Sequence, residues 1–227
     1  MGSIYMKKTK FLGVITLICI CFGIALLTDL PKFLKYQKGD IKDFDTVAAG
    51  ELKKGDLVQG TIDITDGCIA ENEQTNTTMG IETSKRTTSR YYAVYMYNDM
   101  YILYETGNKE QYETLDKLAD ECEAYYDSLN AAYDEEGEDV DLSKVKAPET
   151  TMEFTAVVNE MRDDLTAIFR DWYGEGFEND CETVMLTYSD FSSYLRFVII
   201  GAGCVLLGII FLVLTIISWR KGKQLSY

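Results

Sequence analysis

The side chains with the most chemistry to offer are carboxylates, tyrosines and cysteines, because the chain contains no histidine. Without imidazole there is no Ser-His-Asp or Cys-His nucleophile, no His-bearing zinc site and no HExxH helix. Acids alone can still act as general acid and base. Asp63, Asp66, Asp163 and Asp164 would do so if folding set two of them at the separation glycoside hydrolysis requires; the plainer reading is four surface carboxylates. The run Asp134-Glu135-Glu136-Gly137-Glu138-Asp139-Val140-Asp141 could gather oxygens around Ca²⁺. It lacks the ligand order of an EF-hand and reads as a solvated loop. The tyrosines between Tyr91 and Tyr104 could stack sugars or peptides, or fill a core that faces two ways. No P-loop, GxGxxG or GxSxG occurs, so no cofactor is expected and the chain does not read as an enzyme.

Six cysteines divide into two sets. Cys19, Cys21 and Cys204 lie in apolar runs and suit small apolar fillers. Cys68, Cys122 and Cys181 lie between those runs; an odd number allows at most one internal disulfide and leaves one thiol. No CxxC is present, which removes thioredoxin-like and four-Cys zinc motifs. Asn76-Thr77-Thr78 is a glycosylation sequon, meaningful only in a eukaryote.

Charge organises the chain. The 227 residues carry a net charge of −15, but all 37 acids fall in 29–196, against 16 cations, giving −21 there and +6 at the two ends. A centre this acidic argues against nucleic acid as a partner. Phe11–Leu27 holds no charged residue and is closed by Asp29 and Pro31; Phe197–Trp219 is a longer uncharged run. Both suit membrane helices, spanning 11–30 and 197–219. A cleaved signal peptide competes for the first run, though Gly23-Ile24-Ala25 is a poor cleavage site; a buried core helix competes for the second, which lacks a polar face. Lys7, Lys8 and Lys10 precede the first run, and Arg220, Lys221 and Lys223 follow the second. The positive-inside rule then puts the termini, 1–10 and 220–227, in the cytoplasm and 31–195 outside. Lys32, Lys35 and Lys38 oppose this mildly. Gly13, Thr16, Ile20 and Gly23 recur at helical spacing, as do Gly201, Cys204, Gly208, Phe211 and Thr215. Such small residues let two helices approach closely in lipid, with two unpaired anchors as the alternative.

Between the runs the pattern is mixed. Residues 31–56 read as a connector, with Lys32–Lys38 prolonging the first helix. Residues 57–190 read as an α+β domain. Leu57–Ile64 is β-rich and ends at the turn pair Asp66-Gly67; 68–90 is polar and Thr-rich, suiting a weak strand and a loop. Tyr91–Tyr97 and Met100–Tyr104 flank Asn98-Asp99 as a two-residue hairpin that pairs Tyr95 with Ile102 and needs cover on both faces. Asn108 and Gln111 suggest a capping box. The stripe Tyr112, Leu115, Leu118, Ala119, Cys122, Tyr126, Leu129, Tyr133 follows as one long helix. Residues 151–173 fit a strand to 158 and then a helix stopped by Gly174, or a single helix; 183–188 suits a last strand. This order fits a small α+β fold, with a five-stranded OB-like barrel as its specific form.

The two-run layout, the Gly-Glu-Leu-Lys-Lys-Gly-Asp-Leu-Val sequence at 50–58 and Ser-Arg-Tyr-Tyr-Ala-Val at 89–94 resemble an uncharacterised family of small two-span membrane proteins from Gram-positive bacteria. The resemblance implies a bacterial plasma membrane and no activity. The sequence as a whole points to a bilayer-anchored domain that binds an envelope or membrane protein, or itself. No small-molecule ligand is indicated. The alternatives are an envelope ligand or cation sensor and, last, a carboxylate-dependent membrane enzyme.

Overall fold

The computed structural model describes residues 2–78, 81–96, 99–136 and 145–224. Among them the chain forms α1 (Gly2–Leu27), α2 (Leu30–Gln37), β1 (Lys42–Asp43), β2 (Leu57–Ile62), β3 (Thr65–Thr78), β4 (Ile81–Met96), β5 (Met100–Thr106), α3 (Lys109–Glu136), β6 (Met152–Glu160), α4 (Asp163–Tyr173), β7 (Cys181–Tyr188) and α5 (Phe191–Gln224). They fall into two compact units, 1–39 with 190–227, and 40–189.

The unit 40–189 is a mixed α+β fold around one seven-stranded sheet, ordered β1-β2-β6-β7-β5-β4-β3. The sheet is open, with β1 and β3 as its edges, which corrects the expectation of an OB-like barrel. A barrel hides one face of its strands, whereas here both faces are apolar. Tyr92, Val94, Met96, Ile102 and Tyr104 join Leu115, Leu118 and Cys122 of α3 in one core. Tyr91, Ala93 and Leu103 join Leu165 and Phe169 of α4 in another. Strands apolar on both sides form the middle of a layered structure.

The tyrosine hairpin is present with its register moved by one residue. Met96 pairs with Met100 and Tyr95 with Tyr101, leaving three residues between the paired ends instead of two. Asp99 takes the left-handed conformation (φ 63°), and its carboxylate accepts the Tyr95 hydroxyl at 2.6 Å. One step of register exchanges the faces of Tyr101 and Ile102, so Ile102 and Tyr104 point toward α3. Residues 68–90, expected as a weak strand and loop, instead supply most of β3 and the first half of β4. Asp66-Gly67, expected as a turn, is a bulge inside β3, where Gly67 (φ 97°) shifts the pairing with β4.

Residues 40–56 pack onto the sheet. Phe44 and Leu52 are buried, and Phe44 sits where a Cβ on Gly60 would fall, 2.5 Å from its own Cβ. Asn108 caps α3 by accepting the Glu110 N–H at 3.0 Å. The reciprocal half of the capping box is missing, because Gln111 Oε1 accepts the hydroxyls of Tyr104 and Thr106 instead. The stripe of α3 is buried only through Cys122; Tyr126 and Tyr133 are exposed. Of the acidic run, 137–141 lies outside the described residues. β6 and α4 take the strand-then-helix reading of 151–173, with Gly174 N–H closing α4 on the Arg170 carbonyl at 2.7 Å.

In the other unit, α1 and α5 are long and apolar enough to cross a membrane. Thr28 ends α1 by donating to the Ala25 carbonyl at 2.6 Å. Pro31 opens α2 as a separate helix, where its missing N–H costs nothing. Lys32 pairs with Asp29 at 2.9 Å in that first turn.

Two contacts in the α+β unit give measurable stability effects. Fully buried Tyr92 donates to Asp116 Oδ1 at 2.6 Å. Tyr92→Phe should cost about 2 kcal/mol, the usual scale for a hydrogen bond to a charged group, read as a lower unfolding midpoint of the detergent-solubilised chain. Glu121 accepts the Glu149 and Thr150 N–H groups at 2.9 and 2.8 Å and the Thr150 hydroxyl at 2.8 Å. The Thr150 and Glu149 donors push its carboxyl down to about 2. A carboxyl lowered on folding stabilises above its unfolded pKa and loses that effect as pH falls through the folded one. Glu121→Gln should therefore be less stable than the native chain at pH 7, with the gap closing between about pH 4.5 and 2. Parallel melting curves of both proteins across that range check it.

Candidate functional site

The residues singled out for helix packing lie on α1 and α5, which run antiparallel against each other. A Cβ added at Gly23 would fall 2.9 Å from the Gly201 carbonyl and 3.0 Å from the Val205 nitrogen. One at Gly201 would fall 3.1 Å from the Gly23 carbonyl, and one at Gly208 2.6 Å from Ile20 Cγ1 and 3.5 Å from Cys19 Cβ. At Gly23 the approach is to the backbone of α5 and leaves no room for a side chain, whereas at Gly208 it is to the Ile20 and Cys19 side chains. Thr16 is buried in the same seam and returns its hydroxyl to the Leu12 carbonyl at 2.9 Å, leaving no unpaired donor. Cys204 is half-buried. Gly13 stands apart, with nothing within 4 Å of an added Cβ. Counting sevens from Gly23 through Thr16 puts Leu12 and Cys19 in the seam and Gly13 beside it. The spacing expected from Gly13 was one position too far around the helix.

Of the carboxylates considered for acid–base work, Asp66 and Asp164 are each engaged elsewhere. Asp66 Oδ2 accepts the Tyr173 hydroxyl at 2.6 Å, and Asp164 is clamped by Arg162 at 3.1 and 3.0 Å. Tyr173 and Asp164 are at opposite ends of α4, about 14 Å of helix rise apart. The other strong carboxylate contacts are structural. Arg90 pairs with Asp116 at 2.6 Å and lies 4.6 Å from the centre of the Tyr112 ring. Its buried Nε sits 2.8 Å from Glu71 Oε1 without an aligned hydrogen bond, an ion pair only. Glu105 accepts the hydroxyls of Tyr91 and Thr187 at 3.0 and 3.1 Å. Cys68, Cys122 and Cys181 are free. Burial raises all three thiols, Cys181 to about 12 with help from Asp180. They stay protonated and poorly nucleophilic at neutral pH. No group of three or more Cys, Asp or Glu that could hold a metal ion occurs among the described residues.

Among the described residues, clefts indent the α+β unit at several places. One of about 560 Å³ is bounded by Asp43, Gln59, Thr61, Gln111 and Glu153. A second, about 330 Å³, lies between α3 and residues 146–149. The third, about 560 Å³, wraps the start of edge strand β3, with α3 and Trp172 of α4 as walls. Trp172 and Tyr126 are exposed in it. The sequence reading placed Tyr126 in the apolar stripe of α3 and so missed it as a surface group; the available signal was position, since it lies beyond Cys122, the last buried member of that stripe.

The helix seam predicts a cross-link. With Ile20→Ala to make room, Gly208→Cys should form a disulfide with native Cys19, since the two Cβ atoms would be 3.5 Å apart, at the short end of the disulfide range of about 3.5–4.5 Å. Cleaving the intervening segment with protease should leave α1 and α5 joined on a non-reducing gel. Gly203→Cys, with nothing within 4 Å of its Cβ, should leave them separate.

A domain of unknown function, DUF8577, matches residues 4–219. No curated protein and no solved structure matches the chain. The matched region takes in the whole α+β unit and most of both apolar helices. The chain therefore belongs to the DUF8577 family, whose domain comprises the two long helices as well as the sheet between them.

Proposed function

We propose that the chain is a two-span membrane protein whose α+β unit binds another envelope or membrane protein on the extracytoplasmic side. The observation that carries this reading is the character of α1 and α5. Away from their glycine seam both expose large apolar side chains, among them Phe11, Leu17, Ile199 and Leu206. A soluble helix pair would present a polar outer face to water. The flanking cations support an arrangement with both termini in the cytoplasm and 31–195 outside. The uncharged interiors of both runs favour anchoring over ion passage. Gly23, Gly201, Gly208, Thr16 and Cys204 serve as the packing surface of the anchor, with Gly13 at its margin. The sequence resemblance favours a Gram-positive plasma membrane as the setting.

Binding follows by elimination and by design. Asp66, Glu105, Asp116 and Glu121 are engaged by tyrosines, an arginine and backbone donors, and two anchors suit holding a domain in place better than catalysing a reaction. Impermeant maleimide applied to intact cells should label Glu175→Cys, and should label Ser226→Cys only after permeabilisation. Photo-cross-linkers at exposed positions of 40–189 should then yield one discrete, stoichiometric adduct. Labelling in the reverse order would overturn the orientation, and a chain that stays monomeric with no adduct would overturn the binding role.

A further inference from the structure

Lys32, Lys35 and Lys38 run against the positive-inside preference, since they follow the first apolar run instead of preceding it. The structure puts all three on α2 or its C-cap, and the packing of that short helix fixes which way they face. Phe33 is buried, the Tyr36 ring lies 5.7 Å from the Phe191 ring, and Phe191 stacks on Tyr194 at 5.8 Å. One side of α2 is therefore held against the first turn of α5. At about 100° per residue the three lysines share a sector of about 120°, and Leu30 and Leu34 lie about 40° apart in the sector between Phe33 and Lys38. Leu30 and Leu34 are 36% and 44% exposed. Lys32 stays partly exposed although Asp29 holds it at 2.9 Å, and Lys38 is exposed. Asp29 and Asp190 are the only acids of the helix unit, and Asp190 is turned back to cap α5, accepting the Ser192 N–H at 2.9 Å.

The level of α2 along the helix pair follows from its neighbours. It begins three residues after α1 ends at Leu27, the last residue of the first uncharged run. Its partner Phe191 lies six residues, about 9 Å of helix rise, ahead of Phe197, where the second uncharged run begins. The headgroup layer on each side of a bilayer is about 5–8 Å deep. Resting on the two-span reading, we propose that α2 is a binding site for anionic lipid: Leu30 and Leu34 enter the acyl boundary, and Lys32, Lys35 and Lys38 hold lipid phosphates of the leaflet that borders residue 31. A helix with cations on one side and apolar side chains on the other lies in this layer, with its lysine stems along the apolar boundary and the ammonium heads outward. Tyr36 and Tyr194 sit where interfacial aromatics belong. Lysines so placed are drawn to an anionic surface over about a Debye length. An acidic protein segment fits less well, because it would match the lysines and leave Leu30 and Leu34, next to an apolar span, facing water.

The test puts a single indole on α2. The full chain carrying Trp172→Phe, Trp219→Phe and Leu34→Trp is reconstituted in vesicles of equal phosphatidylcholine and phosphatidylglycerol, with one lipid or the other brominated on its acyl chains. Brominated phosphatidylglycerol should quench the introduced indole about two-fold more than brominated phosphatidylcholine, with a smaller excess as salt rises. Lys32→Gln/Lys35→Gln/Lys38→Gln should abolish the excess and keep the quenching common to both lipids. Lys32→Arg/Lys35→Arg/Lys38→Arg, which retains the charge, should keep the excess. A parallel chain with Val14→Trp in place of Leu34→Trp reports on the middle of α1, where Val14 is 58% exposed. Equal quenching by the two lipids, or an excess that survives the glutamine substitutions, would overturn lipid selection by α2. Quenching at position 14 without quenching at position 34 would overturn the placement of α2 and leave the two-span reading standing. Quenching at neither position would overturn both. Circular dichroism of the glutamine variant, matched to its parent, keeps lost helix apart from lost lipid binding.

Discussion

Strands that are oily on both faces must be covered twice, and the α+β unit is arranged around that requirement. Tyr92, Val94, Ile102 and Tyr104 on one side and Tyr91, Ala93 and Leu103 on the other are all buried. At roughly 25 cal/mol per Å² of apolar surface, leaving either side bare would cost more than a domain's net stability. α3 therefore lies on one face and α4 on the other. Tyrosine rather than phenylalanine at these positions lets the core end in polar contacts. Tyr92, Tyr104 and Tyr91 each carry a hydroxyl to the rim, where Asp116, Gln111 and Glu105 accept it. Burial holds all three phenols above their ordinary range, with Asp116 adding to it at Tyr92 and Glu105 at Tyr91, so they remain donors throughout the physiological range.

The cleft at the start of β3 is a by-product of the same arrangement. Where the sheet stops at β3, the two covering helices have nothing left between them, and their outer residues face an opening at the edge. The bulge at Gly67 turns that edge away from straight pairing, a common means of keeping an edge strand from recruiting another chain. It also presents Asp66 to Tyr173. Edge protection and the shape of the cleft thus share one backbone irregularity.

What the sequence revealed depended on whether its signal was local. The two uncharged runs, the stripe through Leu115, Leu118 and Cys122, and the alternation Met152, Phe154, Ala156, Val158 each repeat with the period of the element they form. The order of strands does not, since β2 meets β6 and β5 meets β7 across long stretches of chain, and a barrel and an open sheet use the same strands. β3 was misread because its Thr-rich end is polar throughout. From Ser89 back to Ile81, β4 pairs with β3 alone. The hairpin register turned on one residue: Asn98-Asp99 resembles a two-residue turn, yet the pairing of Met96 with Met100 leaves three residues between the strands. At the helix seam the glycines were legible and the phase was not, because 3.6 residues per turn let Gly13 pass for a seam position. The aromatic cleft lay beyond reach, since Trp172 and Tyr126 come from separate helices.

The paired helices give the unit between them two covalent leads, one at residue 39 and one at residue 190. A single peptide-bond break in either lead leaves the unit attached through the other, and the severed helix stays gripped by its mate through Gly23, Gly201 and Gly208. Shedding this unit takes two cuts. A lone site-specific protease would leave it leashed and folded, unlike a domain on one stalk, which is lost at the first nick.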